Sequence, residues 1–219
     1  MEIEQTADGS YTLFLTEMNE HYHSIKGAMT ESKHIFLEMG FEASPVVDPR
    51  VLEIGFGTGL NAFLTYQRSI QVQRKVHYTA LEYYPLTLEQ VEKMNYTQSA
   101  EERELFMQLH RVVWNEDCIL SPYFILNKKQ VDFVSVSLPQ NHYDIIYFDA
   151  FAPEKQPEMW GMDRIEQLYN SLHEGGILVT YCAKGDIRRS LQKVGFIVER
   201  LPGPPQGKRE ILRAKKLHR

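Results

Sequence analysis

Apolar and polar positions along this chain fall into short runs of period two or less and longer stretches of helical period, and the two kinds alternate. After the turn Asp8-Gly9-Ser10, the β-branched and aromatic residues 11–15 predict a strand. Residues 30–39 predict a helix with Gly40 as its C-cap. The apolar run 51–54 predicts a strand, residues 60–67 a helix, and residues 75–81 a second strand. Helices follow over 86–94 and 99–109. Strands at 110–114 and 131–136 flank a polar and aromatic connection whose pattern is weak. Residues 143–148 read as a buried strand ending in Asp149, and Pro157 opens a helix that runs to residue 172. Gly175-Gly176 then leads into a strand over 177–181, a helix over 186–194, and strands at 195–200 and 209–215 around the stiff loop 202–208. Two strands joined without a helix form an antiparallel hairpin. The pattern therefore predicts an α/β fold with a mostly parallel seven-stranded sheet and one antiparallel edge strand. Pro45 and Pro49 set off residues 1–45 as a short N-terminal appendage, leaving 46–219 as the main domain.

The junction of the 51–54 strand and the following helix carries Glu53-x-Gly55-x-Gly57-x-Gly59. Glycines there allow positive φ and let a ligand lie against backbone N–H groups at a helix N-terminus. A dinucleotide site asks for G-x-G-x-x-G. Here the spacing is one residue short, and an acid stands in front that would repel a pyrophosphate yet accept from an ammonium. The pattern favours the amino-acid end of S-adenosyl-L-methionine over NAD. A turn needing glycine only for packing is the other reading. Glu82, about 20 residues further on, stands at the tip of the second strand, where a carboxylate can hold a ribose diol. Asp149, ending another parallel strand, should face the same crevice.

Composition narrows the class. The chain has 219 residues, 43% hydrophobic and 24% charged, as in an ordinary globular domain. Its start has no basic stretch before an apolar one, and no run approaches a membrane span, so the expectation is a cytoplasmic protein. Cys118 and Cys182 are expected as buried free thiols, and His21-x-His23 lacks further ligands at metal spacing, so no metal is expected. The net charge of −5 hides an asymmetry. Residues 184–219 hold 11 Lys and Arg against 3 acids, a local +8, while residues 1–183 carry −13. The C-terminal segment is either an electrostatic footprint for a polyanion or a solvated face.

Three segments resemble one family. They are Glu20-x-Tyr22-His23-Ser24-x-x-Gly27-Ala28-x-x-Glu31-Ser32, Glu53-Ile54-Gly55-Phe56-Gly57-Thr58-Gly59-Leu60-Asn61, and Asp149-Ala150-Phe151-Ala152-Pro153-x-Lys155-x-Pro157-x-Met159-Trp160. Tyr181-x-Ala183-x-Gly185-x-x-Arg188-Arg189 and Gly203-x-x-x-Gly207-Lys208-Arg209-Glu210 extend the likeness to the family of the MnmC methyltransferase domain and its stand-alone form MnmD. The resemblance implies a Rossmann-like fold and transfer of a methyl group from S-adenosyl-L-methionine to the amine of 5-aminomethyluridine, usually 2-thiolated, at the tRNA wobble position. The anticodon stem-loop would be the partner, and another enzyme would supply the aminomethyl group. With no second glycine-loop unit before Arg219, the methyltransferase alone is expected. The family's acid after the third strand, near adenine, has no counterpart between Val131 and Leu138.

Residue roles follow from that likeness together with the chemistry. Glu53, Gly55, Phe56, Gly57, Thr58, Gly59, Asn61, Glu82 and Tyr83 form the expected cofactor set. Asp149 is the expected catalytic residue. An ordinary Asp, of pKa about 3.9, is a poor acceptor of a whole proton from an alkylammonium, so its expected task is orienting the amine lone pair. Phe151 and Pro153 should wall the pocket, Phe151 stacking on an unpaired base or else belonging to the core. Tyr22, Ser24 and Glu31 are expected over the cofactor or acceptor, from resemblance alone. Lys184, Arg188, Arg189, Lys208 and Arg209 are expected phosphate contacts. Rival readings are an aminopropyltransferase, disfavoured because the next acid after Asp149 is Glu154, a small-molecule amine methyltransferase, and a non-catalytic binding module.

Overall fold

The computed structural model describes residues 1–217. Three short antiparallel strands begin it: β1 (Glu2–Gln5), β2 (Tyr11–Leu15) and β3 (Glu20–His21), in the order β1-β2-β3. Helix α1 (Ala28–Ser32) passes without a break into a π-helical stretch, Lys33–Phe41. Gly40 lies inside that stretch rather than capping it. A Cβ at Gly40 would stand 3.0 Å from both Tyr147 and Val179, so glycine is there for close helix–sheet approach. This helix packs on the central sheet, whereas the three strands sit apart as their own sheet.

The central sheet follows: β4 (Arg50–Ile54), α2 (Leu60–Gln71), β5 (Val76–Glu82), α3 (Leu88–Glu92), α4 (Ala100–Arg111), β6 (Asp117–Ser121), β7 (Phe124–Gln130) and β8 (Tyr143–Phe148). A 3-10 turn (Pro157–Trp160), α5 (Met162–Ser171), β9 (Leu172–Thr180), α6 (Gly185–Val194), β10 (Ile197–Pro202) and β11 (Glu210–Lys215) complete it. Among the described residues the order is β10-β11-β9-β8-β4-β5-β7-β6. Strands β9, β8, β4, β5 and β7 are parallel. Val51, Leu52 and Ile54 are 0% exposed, as is the acid Glu53 between them, so both faces of β4 are covered, as befits a mid-sheet strand. Each such aliphatic side chain contributes on the order of 2 kcal/mol by leaving water.

The sheet is mostly parallel, as the pattern predicts, with three differences. It has eight strands. The reversed strand β11 is second from one edge, between β9 and β10, antiparallel to both. A second reversed strand, β6, closes the other edge against β7. Residues 110–114 and 131–136 are not strands. Helix α4, capped by the Ser99 hydroxyl on Glu102 N–H, takes up His110 and Arg111 and ends at Val112, whose backbone is extended. The third parallel strand is β7 instead, and Asp132 ends it in a turn by accepting the Val134 N–H at 2.9 Å. No described helix is long and apolar enough to cross a membrane. Cys182 is buried and Cys118 half-buried, and both are free thiols.

Candidate active site

The loop after β4 needs its glycines individually. Gly55, Gly57 and Gly59 have φ of 90°, 51° and 75°, in the left-handed region. Gly55 and Phe56 both donate to the Leu81 carbonyl, at 3.0 and 3.1 Å, which ties the loop to the tip of β5. A Cβ on Gly55 would lie 2.8 Å from the Asp149 carbonyl, one on Gly57 3.0 Å from the Tyr22 ring, and one on Gly59 2.7 Å from His110 Nε2. The loop is thus fitted between the tips of two strands and the small N-terminal sheet. Gly59 caps α2, whose first turn opens into a cavity of about 1220 Å³.

Beneath that turn, one amide organises two acids. Asn61 Nδ2 donates to Glu53 Oε1 at 3.0 Å and to Asp149 Oδ2 at 2.8 Å. Only the amide nitrogen can donate to both, so its orientation is fixed and Asn61 Oδ1 is left buried without a partner. Asn61 as a residue lines the cavity, so a ligand ammonium reaching this oxygen would give it the donor it lacks. Glu53 does not face a ligand, contrary to expectation. It is 0% exposed, reaches the cavity only through Asn61, and burial pushes its carboxyl well above the usual range. It accepts from the Asn61 amide and holds it in place.

Asp149 does face the cavity. Burial raises its pKa to about 7, with Glu31 pushing the same way and the Asn61 bond and Lys208 opposing. The premise of an ordinary, weakly basic Asp is therefore overturned. Its backbone N–H donates to the Ile54 carbonyl at 3.1 Å, fixing the tip of β8 against that of β4.

The structure brings most expected site residues to this cavity. Gly55, Phe56, Gly57, Thr58, Asn61, Glu82, Tyr83, Tyr22, Ser24, Glu31, Asp149 and Phe151 all line it. Phe151 meets Tyr22 edge to face at 5.2 Å, so it forms wall rather than core. Glu82 accepts from Gly57 N–H at 2.9 Å and from Tyr84 N–H at 2.8 Å. Gly59 and Pro153 are not among the residues that border the cavity; Gly59 turns the chain into α2.

The basic residues divide. Lys208 donates to Glu31 at 2.9 Å and lies 3.8 Å from the Tyr181 ring centroid, so it points into the cavity and not outward as a free phosphate contact. Lys184 pairs with Glu154 at the rim. Arg200 pairs with Glu210, and Arg213 and Lys215 with Glu199, acids already counted within the local +8; only Glu154 and Glu31 bring negative charge to the segment from outside it, so most of that excess stands. Among the described residues, Arg188, Arg189 and Arg209 make no ion pair, and Arg189 and Arg209 are exposed.

Three cavity residues escape the sequence reading. Asp132, at the tip of β7, is the acid after the third strand that has no counterpart if 131–136 is a strand. Tyr181 donates from its hydroxyl to the Ala150 carbonyl at 2.8 Å. His23 is half-buried with Nε2 3.5 Å from the Thr58 hydroxyl, and desolvation lowers its pKa to about 4. The interruption of β-pattern by an Asp that can bond two residues ahead was the available signal for the first of these. The other two depend on contacts far apart in sequence.

Comparison with known proteins places this geometry. Residues 72–217 match the family model described as S-adenosyl-L-methionine-dependent methyltransferase. A protein of Idiomarina loihiensis named tRNA 5-methylaminomethyl-2-thiouridine biosynthesis bifunctional protein MnmC is 27% identical over 207 residues, 86% of this chain and 34% of that protein. Its namesake in Leptospira borgpetersenii is 29% identical over 213 residues, covering 89% of this chain and 32% of its own length. The chain thus spans about a third of the curated relatives it matches. The crystal structure of MNMC2 from Aquifex aeolicus superposes with a TM-score of 0.79 at 28% identity, over 98% of this chain and 70% of that one. A probable spermidine synthase from Corynebacterium glutamicum, at 16% identity and a TM-score of 0.56, shares the fold. With the family model matching residues 72–217, two thirds of its length, the chain belongs to the S-adenosyl-L-methionine-dependent methyltransferase family.

Proposed function

We propose that this protein methylates the exocyclic amine of 5-aminomethyluridine, usually 2-thiolated, at the tRNA wobble position. The observation that carries the reading is Asp149: a carboxylate of raised basicity, fixed by Asn61, in the same cavity as an aromatic wall. S-adenosyl-L-methionine, when bound, supplies an electrophilic methyl group on a sulfonium. The residues present suit it. Asn61 Oδ1, which has no protein partner, would accept from its ammonium, and Glu82, at the tip of β5, would hold its ribose. Asp132, with Tyr83 nearby, would face the adenine amine.

The acceptor arrives as an ammonium and must lose a proton before its lone pair can act. Asp149 has the geometry to accept N–H bonds and orient that lone pair. With a pKa near 7 it also receives the proton across a gap of about three pH units from an alkylammonium of about 10, rather than about six. Phe151 would stack on the extruded base, with Tyr22 buttressing it edge-on. The exposed Arg189 and Arg209, with Arg188, would supply the phosphate contacts. The reading implies a cytoplasmic enzyme acting after another that installs the aminomethyl group.

The test is to incubate the protein with labelled S-adenosyl-L-methionine and tRNA carrying unmethylated 5-aminomethyluridine, then digest and weigh the nucleosides. Label in a nucleoside heavier by one methyl supports the reading. Label only in free small amines, with none in tRNA, would replace it with the small-molecule methyltransferase.

A further inference from the structure

Glu31 is a carboxylate the fold cannot move. It is 7% exposed, sits on helix α1, and its Oε2 accepts the Ser24 N–H at 2.9 Å. Its other oxygen, Oε1, is held by the Lys208 ammonium at 2.9 Å. That ammonium also stands 3.8 Å from the Tyr181 ring centroid, and Tyr181 is locked by its hydroxyl bond to the Ala150 carbonyl. A buried carboxylate and an aromatic face on one cation make an ammonium cage. The cage opens on the cavity that Asp149 lines.

The two sides of the ion pair differ in mobility. Lys208 rises from the 203–209 loop between β10 and β11, and its side chain is 40% exposed against 9% for Glu31. The anion is therefore the fixed member and the cation the replaceable one. From this geometry we infer that Lys208 occupies, in the free protein, the subsite that the acceptor's primary ammonium takes in the complex, and that it withdraws when the acceptor enters. The inference rests on the proposed amine acceptor. Two ammonium groups within about 4 Å repel, so they cannot share the cage. Loss of Lys208 without a replacement would leave a buried carboxylate unpaired, so the two events are coupled. The subsite thereby selects a primary alkylammonium over a neutral uridine, and the released Lys208 joins Arg209 on the exposed loop, where it can meet phosphate.

Lys208→Met keeps the stem over Tyr181 and removes the charge, while Lys208→Arg keeps the charge. Binding of 5-aminomethyluridine and of plain uridine is measured by calorimetry for each. Lys208→Met should bind the aminomethyl nucleoside at least fivefold more tightly than the unaltered protein, with uridine binding unchanged, and Lys208→Arg should show no gain. Equal or weaker binding of the aminomethyl nucleoside by Lys208→Met, or an equal gain for uridine, overturns the inference. Failure of methyl transfer to tRNA would sink the proposed function separately. An ammonium-selective gain in that case would still place a cation subsite at Glu31, for a different amine.

Discussion

The strand tips and the C-terminal basic segment deal with charge in opposite ways. At the tips of β4 and β8, two acids are buried together and share one amide, so burial makes them neutral or weakly basic and their neighbours fix their direction. In residues 184–217, charges stay near the surface, some of them in pairs such as Arg200 with Glu210, and a positive excess remains. Exposed pairs contribute roughly 0–1 kcal/mol each, so that segment is a reservoir of adjustable charge, not a scaffold. A desolvated group is suited to moving protons, and a solvated one to meeting a polyanion.

The contrast is tested hardest at Asp149. Asp149→Ala should lower methyl transfer by at least about a hundredfold while donor affinity changes by less than about threefold; comparable loss of both would move the residue out of the reaction. In the unaltered protein kcat/KM should fall as pH drops through about 7, and Asp149→Asn should lack that limb. Stability should move the other way. A folded pKa raised to about 7 from about 3.9 means a penalty that is absent below pH 4, grows between 4 and 7, and is complete above 7. Asp149→Asn should therefore raise the melting temperature at pH 8, by an amount worth on the order of 1–3 kcal/mol, and leave it nearly unchanged at pH 4.

Asn61→Ala should come next. It removes the donor shared by both acids and the orphan oxygen, so donor affinity should fall by roughly tenfold or more. Combined with Asp149→Asn, the stability effects should be non-additive by more than about 0.5 kcal/mol, measured by a double-mutant cycle. Additive behaviour would mean that the two side chains do not act as one network. The smallest effect belongs to the basic segment. Arg188→Glu with Arg189→Glu should weaken tRNA binding severalfold at low salt and flatten its salt dependence, with donor affinity untouched. Unchanged binding would remove α6 from the tRNA surface.

Legibility from sequence divides along similar lines. The run at 51–54 and the run at 143–148 announce buried parallel strands because both faces are apolar, and the glycine spacing locates the cavity between their tips. Asp132 was hidden because Val131-Asp132-Phe133-Val134-Ser135-Val136 alternates like a strand, while the turn comes from one side-chain bond to Val134. The β6–β7 hairpin was hidden because Asn127, Lys128 and Lys129 give β7 a polar end, although Lys128 is 1% exposed with its ammonium on the His110 carbonyl. Lys208 reads locally as a surface charge, since its partner Glu31 lies 177 residues away. Glu53 reads as a ligand group because a motif gives spacing but not depth. Its complete burial appears only once Asn61 is seen between it and the cavity.

The placement of β11 has a consequence for biosynthesis. It comes after both of its neighbours in the chain, yet β10 joins the sheet through β11 alone. While a ribosome is still adding residues 210–215, the open side of β9 has no strand to pair with and β10 has nowhere to dock. The sheet is thus completed in one late step, and until then a nascent chain carries a bare edge that needs protection from its neighbours.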